Sequence, residues 1–493
     1  MARAVPALTM EYRQTVKARS VLVAGSLLPL LLAGAPASAQ DAATPPPARP
    51  ATAYVGEGQL PRPASSATPE APKPAPKPAQ VPSPAPVMTS SPVVQQAPTD
   101  FFVTPPRWSL EQAENLLAYV SGIGNEGLFP DDYAPEALEA AISAGDGEQL
   151  DKIATQTFTW LAQDLRDGRT EMDARRQWFV RDPDAERIPL RPLLTWALGG
   201  GSVVAALDSL HPSHPDYAVL RQMLLATPED EVEIRAKIRV NMDRWRWLAQ
   251  DLGHSYLLTN VPEYQLRLTV NDRIVRSYRT IVGKPGRTST PQLAVMVRGI
   301  IFNPTWTVPQ SIIVGEGLGA KVLNNPAYAK AHNYKAWRAG DGRVIVVQQP
   351  GPGNALGLVK LDMPNPHSIF LHDTPAKQLF DTKKRAYSHG CIRTDRALEL
   401  GLTLAMVLGK LPKEEAVAIS KSGEYTKVPL QTPLPIYVTY FTMAQDIDGE
   451  MRSFDDIYGR DAPVLASFAR PRVPKDGRRV TNEAVVPIED PGV

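Results

Sequence analysis

The only cysteine of the 493-residue chain, Cys391, lies in the run Ser388-His389-Gly390-Cys391-Ile392-Arg393, nineteen residues after His372. A thiol attacks as the thiolate, so its ordinary pKa of about 8.5 must be lowered, or its proton removed, for reaction near neutral pH. An imidazole can do either, by forming an ion pair or by acting as general base. Two are near: His389 precedes the cysteine by two residues, and His372 ends the β-type run Ser368–Leu371. Gly390 permits a sharp turn beside the nucleophile. Backbone N–H groups around such a turn can hold a developing oxyanion. Arg393 adds a fixed cation, suited to a substrate carboxylate or to loop geometry. Zinc ligation by His367, His372, His389 and Cys391 lacks the usual structural spacing, and no metal is expected. A packed, inert cysteine beside two ordinary histidines stands as an alternative. A serine triad has no Gly-x-Ser-x-Gly elbow to rest on.

Composition frames this chemistry. Lys plus Arg total 53 and Asp plus Glu 52, for a net charge of +1, so nothing argues for nucleic acid as a partner. Arg13, Lys17 and Arg19 precede a short apolar run, Val21–Leu32, and Ala37-Ser38-Ala39 fits a small-x-small cleavage site. Residues 1–39 therefore read as a signal peptide. The alternative is an uncleaved anchor, but the run is shorter than the roughly 20 apolar residues of a spanning helix. Export makes a lone thiol notable, because extracytoplasmic compartments are oxidising and one cysteine forms no internal disulfide.

The elements that position the cysteine follow from periodicity. Residues 40–105, rich in Ala and Pro, lack the apolar residues of a core and read as an extended spacer. Residues 106–226 read as a helical scaffold domain, with Ser109 and Gln112 as a capping box and further helices over Pro135–Ile142, Leu150–Ala162 and Leu190–Leu207. A linking helix is expected over 227–252, with Thr227 as its cap. From 253 to 470 the period shortens to that of strands: Tyr264–Val270, a turn at Asn271-Asp272, Ile274–Val282, Arg298–Phe302, Val344–Val347 and Ile436–Thr442. Residues 314–340 are long for a loop and read as a helical insertion, with Trp337 a candidate lid. Residues 471–493 form a tail. The fold class is α+β, a helical scaffold followed by a mostly β catalytic domain.

Ser388-His389-Gly390-Cys391-Ile392-Arg393 resembles the S-H-G-C-x-R signature of the L,D-transpeptidases (the YkuD catalytic domain), and Phe370-Leu371-His372-Asp373-Thr374-Pro375 resembles that family's second block. Arg244 to Trp247, Asn303 to Pro309, Gln349 to Gly357 and Asp455 to Gly459 are similar to the large, multi-domain, YcbB-type branch. The small peptidoglycan-binding module common in that branch has no counterpart here, since only Tyr217 to Thr227 separate scaffold and linking helix.

The resemblance implies a periplasmic or cell-envelope enzyme, acting on peptidoglycan stem peptides without metal or organic cofactor. Cys391 would attack a tetrapeptide stem at its third residue and expel D-Ala. A second stem's amine would resolve the thioester to a 3–3 cross-link. His372 would be the proton acceptor and donor, with Asp373 or a backbone carbonyl as its orienter. His389 and Gly390 would shape the oxyanion site. Ser388 would contact substrate, and Arg393 would hold the nucleophile loop or a substrate carboxylate; Asn303, Trp306 and Asn354 are candidates to line the cleft and contact substrate, with loop architecture the favoured alternative. Carbapenem β-lactams and other cell-wall enzymes are the partners it suggests. Two alternatives remain: a carboxypeptidase or endopeptidase using water at the same site, and a non-catalytic wall-binding protein.

Overall fold

Ser109 begins the first helix as the spacing predicts. Its hydroxyl accepts from Gln112 N at 3.2 Å, and the Gln112 side chain accepts from Ser109 N at 3.0 Å. The helix Leu110–Ser121 buries Ala113, Leu116 and Val120 against the long helix Glu148–Asp167. The computed structural model describes residues 102–475, 477–479 and 481–484; the expected signal peptide, the spacer up to residue 101 and the tail beyond 484 lie outside them. Among the described residues, no helix is long and apolar enough to cross a membrane.

The helix expected over Leu190–Leu207 is two, Leu190–Leu198 and Val203–Asp208, broken at three consecutive glycines. The linking helix is also shorter than expected and spans Val232–Trp245. Thr227 instead closes a helix that the periodicity did not reveal, Pro215–Ala226. The residue before a proline is driven out of the helical region, and Thr227 precedes Pro228 with ψ at 123°. The linking helix joins the two domains through buried polar side chains. The Asp243 carboxylate accepts from Arg169 N, Thr170 N, Thr170 Oγ1 and Trp247 Nε1. Arg244 pairs with Asp461 at 2.6 Å.

Twelve strands concern the active site: β1 Ser255–Asn260, β2 Gln265–Val270, β3 Arg273–Gly283, β4 Leu293–Phe302, β5 Trp306–Thr307, β6 Tyr334–Arg338, β7 Val344–Gln348, β8 Val359–Asp362, β9 Leu371–His372, β10 Ala386–Ser388, β11 Ile392–Thr394 and β12 Thr426–Thr439. The main sheet runs β10-β3-β11-β9-β8-β4-β12-β1-β2, and β2 also pairs with β3, so the sheet closes on itself. Closure removes most exposed strand edges. Asn271 and Asp272, both at positive φ, turn β2 into β3. Leu257, Val297, Ile300, Leu361, Leu371 and Ile436 are among the side chains that fill the core.

The insertion is larger than 314–340 and is not purely helical. Strand β7 does not join the main sheet; it pairs with β5 and β6 in a separate three-stranded sheet. Three short helices, Gln310–Gly315, Leu318–Asn324 and Pro326–Ala331, pack on it around Val308, Ile313, Val322 and Val346. An apolar strand has the same pattern in either sheet, so composition alone did not place it.

The tail is bound to the helical domain. Arg472, 2 % exposed, pairs at 2.9 Å with Asp164, which is fully buried, and Lys475 reaches the same carboxylate at 2.8 Å. Burial alone would raise the Asp164 pKa, but Arg472 and Lys475 outweigh it and hold the group at about 2. Asp164→Ala leaves two cations facing a vacated site, so we expect a loss of about 3–5 kcal/mol in denaturant unfolding. A loss under about 1 kcal/mol would mean that water replaces the pair without cost.

Candidate active site

Strand β9 is only two residues long but lies inside the sheet. Its His372 pairs with Lys360 of β8 on one side and with Arg393 of β11 on the other. Ile392 N donates to Phe370 O at 3.0 Å, which fixes the segment carrying Cys391 alongside the one carrying His372. The His372 ring is buried, edge-on to Phe370 at 5.4 Å between centroids, and its Nδ1 lies 2.5 Å from the Asp373 carbonyl oxygen. A carbonyl only accepts, so Nδ1 carries the hydrogen and Nε2 keeps the lone pair. Burial, reinforced by Arg393, pushes the imidazole pKa down to about 3. At neutral pH this ring is an uncharged acceptor.

Asp373 orients His372 through its main chain and not its side chain. The carboxylate turns away, accepts from Leu358 N at 3.0 Å and pairs with Lys377. It packs against Gly357, where φ is +64° and an added Cβ would meet Asp373 Oδ2 at 2.4 Å. Any side chain at 357 would therefore displace the residue that fixes the histidine tautomer.

Cys391 is half-buried, and its Sγ–H donates to Ser368 O at 3.6 Å. Gly390, at φ +122°, sets the turn just before it. Ser388 clamps that turn from within: its hydroxyl accepts from Gly390 N at 3.1 Å and donates to Cys391 O at 2.6 Å. Ser388 was expected to contact substrate; its hydroxyl is instead committed to the turn. His389 is exposed on the cleft wall.

A cleft of about 400 Å³ gathers Cys391, His372, His389, Arg393, Ser388 and Trp306. Trp306 comes from the insertion, on β5, so that unit forms one wall. Arg393 is half-buried, and its Nε has no hydrogen-bond partner. Burial lowers its pKa.

Two expected cleft residues lie elsewhere. Asn303, at φ +47°, donates its amide to Ile419 O, Ser422 Oγ and Glu424 O, and ties down the loop after helix Lys413–Lys421. The Asn354 side chain donates to Pro304 O, Gln348 O and Gln349 O and accepts from Leu356 N, which closes the root of the insertion. Both are buried and satisfied, and neither lines the cleft. Trp337 is 47 % exposed on β6 and does not line it either. The His367 ring lies tilted against Phe179, 4.0 Å between centroids, outside the cleft that holds His372, His389 and Cys391. Among the described residues, no three His, Cys, Asp or Glu side chains are grouped to hold a metal.

Sequence reasoning missed Ser368, Lys360, Glu316 and Tyr425, which also line the cleft. Ser368 takes a positive φ of 52°, which turns its carbonyl toward the thiol; a serine carries no local signal for that. A second cavity, of about 540 Å³, lies between tail and scaffold and is lined by paired charges such as Asp164, Arg472 and Arg479, with no cysteine or histidine.

Residues 254–404 match the family model of the L,D-transpeptidase catalytic domain (YkuD), and residues 104–224 match that of the scaffold domain. A curated Haemophilus influenzae protein named "Putative L,D-transpeptidase" is 29 % identical over 278 residues, covering 52 % of this chain and 56 % of that protein. The chain thus matches little more than half the length of that relative. Solved structures include an L,D-transpeptidase from Mycobacterium smegmatis (13 % identity, 38 % of this chain and 58 % of that one, TM-score 0.19). Another is L,D-transpeptidase 3 from Mycobacterium tuberculosis with a faropenem-derived adduct (12 % identity, 38 % and 60 %, TM-score 0.20). Overlaps this slight bear no weight. The two family models mark an L,D-transpeptidase (YkuD) catalytic domain on the sheet that carries Cys391 and His372, and a scaffold domain on the helices before it.

Proposed function

We propose that the chain is an exported peptidoglycan L,D-transpeptidase that forms 3–3 cross-links through a thioester on Cys391. The observation that carries this reading is one cleft holding the sole cysteine and a buried, uncharged, tautomer-fixed imidazole on neighbouring strands.

In the acylation step His372 Nε2 takes the Cys391 proton, and the sulfur bonds to the carbonyl carbon of the stem's third residue. Charge gathers on the carbonyl oxygen, where the Cys391 N–H and the exposed His389 support it. The C–N bond to the terminal D-Ala then breaks, and the imidazolium returns its proton to the leaving amine. Deacylation runs in reverse with the side-chain amine of a second stem: it loses a proton to His372, bonds to the acyl carbon and expels the thiolate. Arg393, a half-buried cation on the cleft wall, anchors a stem carboxylate beside the reacting bond. No cofactor enters any step. A carbapenem, itself an acylating agent, is expected to modify Cys391 by the same route. The enzyme works in the periplasm or cell envelope, where the acceptor strands and other cell-wall enzymes meet it.

The test is mass spectrometry of purified disaccharide-tetrapeptide incubated with the chain. The expected product is a dimer one D-Ala lighter than two donors. Shortened monomers without dimers would replace this reading by hydrolysis at the same site. Unchanged substrate would overturn both.

A further inference from the structure

Thr290 does not line the cleft, yet its hydroxyl reaches the nucleophile's turn. It is fully buried, accepts from Gly283 N at 2.9 Å and donates to Gly390 O at 2.8 Å. A buried hydroxyl is costly unless bonded, and this one is bonded both as acceptor and as donor. Gly390 itself supplies little stiffness: at φ +122° it occupies a region that glycine enters freely and that fixes nothing. The Gly390–Cys391 peptide therefore depends on outside bonds for its orientation. The peptide is planar, so its C=O and N–H point in opposite directions, and holding the Gly390 oxygen aims the Cys391 N–H. The same restraint sets the Cα of Cys391 and the direction of its thiol.

Thr290 is itself held rigidly. Its N–H donates to Tyr458 Oη at 3.2 Å, and Tyr458 Oη donates to Gly283 O at 2.6 Å. A Cβ on Gly283 would meet Thr288 O at 1.9 Å, so the 284–290 loop folds back tightly on the end of β3. On the far side the loop docks on the helical domain. Gln177 Oε1 accepts from Ser289 Oγ at 2.7 Å and from Arg460 Nη2 at 2.8 Å. Gln292 N donates to Gln177 O, and Phe179 N donates to Gln292 O, both at 3.0 Å. Residues 177–179 thus form an isolated parallel bridge at Gln292, at the end of the loop.

We propose that Thr290 is a positioning residue for the nucleophile: it orients the Gly390–Cys391 peptide through the Gly390 carbonyl and is held in place by the 177–179 segment of the helical domain. This gives the scaffold a role in rate as well as in architecture. The inference rests on Cys391 being the nucleophile.

Steady-state release of D-Ala from a tetrapeptide donor by the full chain tests it, with Thr290→Val and Thr290→Ser beside wild type. Removing a direct oxyanion donor costs about 10²–10³-fold in kcat, and an orienting group one bond further out should cost on the order of tenfold. Thr290→Val is expected to lower kcat about tenfold with KM within about twofold, because the cleft walls are untouched. Thr290→Ser keeps the hydroxyl and is expected to return kcat to within about twofold of wild type. If valine does not fold, Thr290→Ala poses the same question. Loss in the hydroxyl-free variant without recovery in Thr290→Ser, or a loss carried by KM, would reduce Thr290 to packing and overturn the inference. An unchanged kcat would overturn it too. A wild-type chain that releases no D-Ala would overturn the functional reading beneath it, which is a separate outcome.

Discussion

Cys391→Ala is expected to lower D-Ala release by at least about 10⁴-fold while leaving the fold intact. Removing a covalent nucleophile takes away the route itself, and what remains is the slow background from binding and oxyanion support. No second thiol can substitute, because Cys391 is the chain's only cysteine. The structural cost should be small. The side chain is half-buried, and its hydrogen bond to Ser368 O is long at 3.6 Å. Ser388 and Thr290 hold the turn through main-chain atoms that alanine retains. We expect a stability change within about 1 kcal/mol. An alanine variant with substantial turnover would remove the cysteine from the chemistry, and the inert, packed thiol would become the better reading.

His372→Asn should cost about 10³-fold. Asparagine can still donate to the Asp373 carbonyl, as Nδ1 does, but nothing replaces Nε2 as proton acceptor. The pH dependence carries more information than the size of the loss. With the imidazole pKa lowered by burial to about 3, His372 is already neutral throughout the range from pH 5 to pH 8. Single-turnover acylation should therefore show no acid limb centred near 6.5. A limb at that position would place the histidine in an exposed, ordinary environment and contradict the buried geometry.

The same shift affects stability. In the unfolded chain His372 takes up a proton as pH falls below about 6.5, whereas the native ring resists protonation until about 3. The unfolded state binds more protons across that window, so native stability declines as pH falls from 6.5 toward 3. Burial lowers His214, stacked on Trp245, to about 3 as well, and it acts in the same direction. His372→Asn should therefore flatten, but not abolish, the acid decline in denaturant midpoint.

Much of the catalytic frame could be read from local sequence because local rules decide it. The capping box at Ser109 and the strand–turn–strand from Tyr264 to Val282 are each specified within a few residues. The run around Cys391 carries its own chemistry. What could not be read depends on distant partners. Val344–Gln348 pairs with the insertion and not with the main sheet, and nothing in its five residues distinguishes the two. Asn303 and Asn354 were candidates for the cleft wall with loop architecture as the alternative; each is consumed by main-chain groups, as the alternative has it. Asp373 lies next to His372 in sequence, yet its side chain faces Leu358 and Lys377 while its carbonyl does the orienting. Thr290 is about a hundred residues from Gly390 and meets it only in the folded sheet.

The thioester can be tested directly. The chain would be incubated with tetrapeptide donor in the absence of acceptor, quenched in acid and analysed by intact mass and peptide mapping. The expected result is a protein heavier by the donor less D-Ala, with the added mass on the peptide that holds Cys391 and absent from Cys391→Ala. Turnover of the donor with no adduct at Cys391, or an adduct on another residue, would contradict a covalent mechanism at this cysteine.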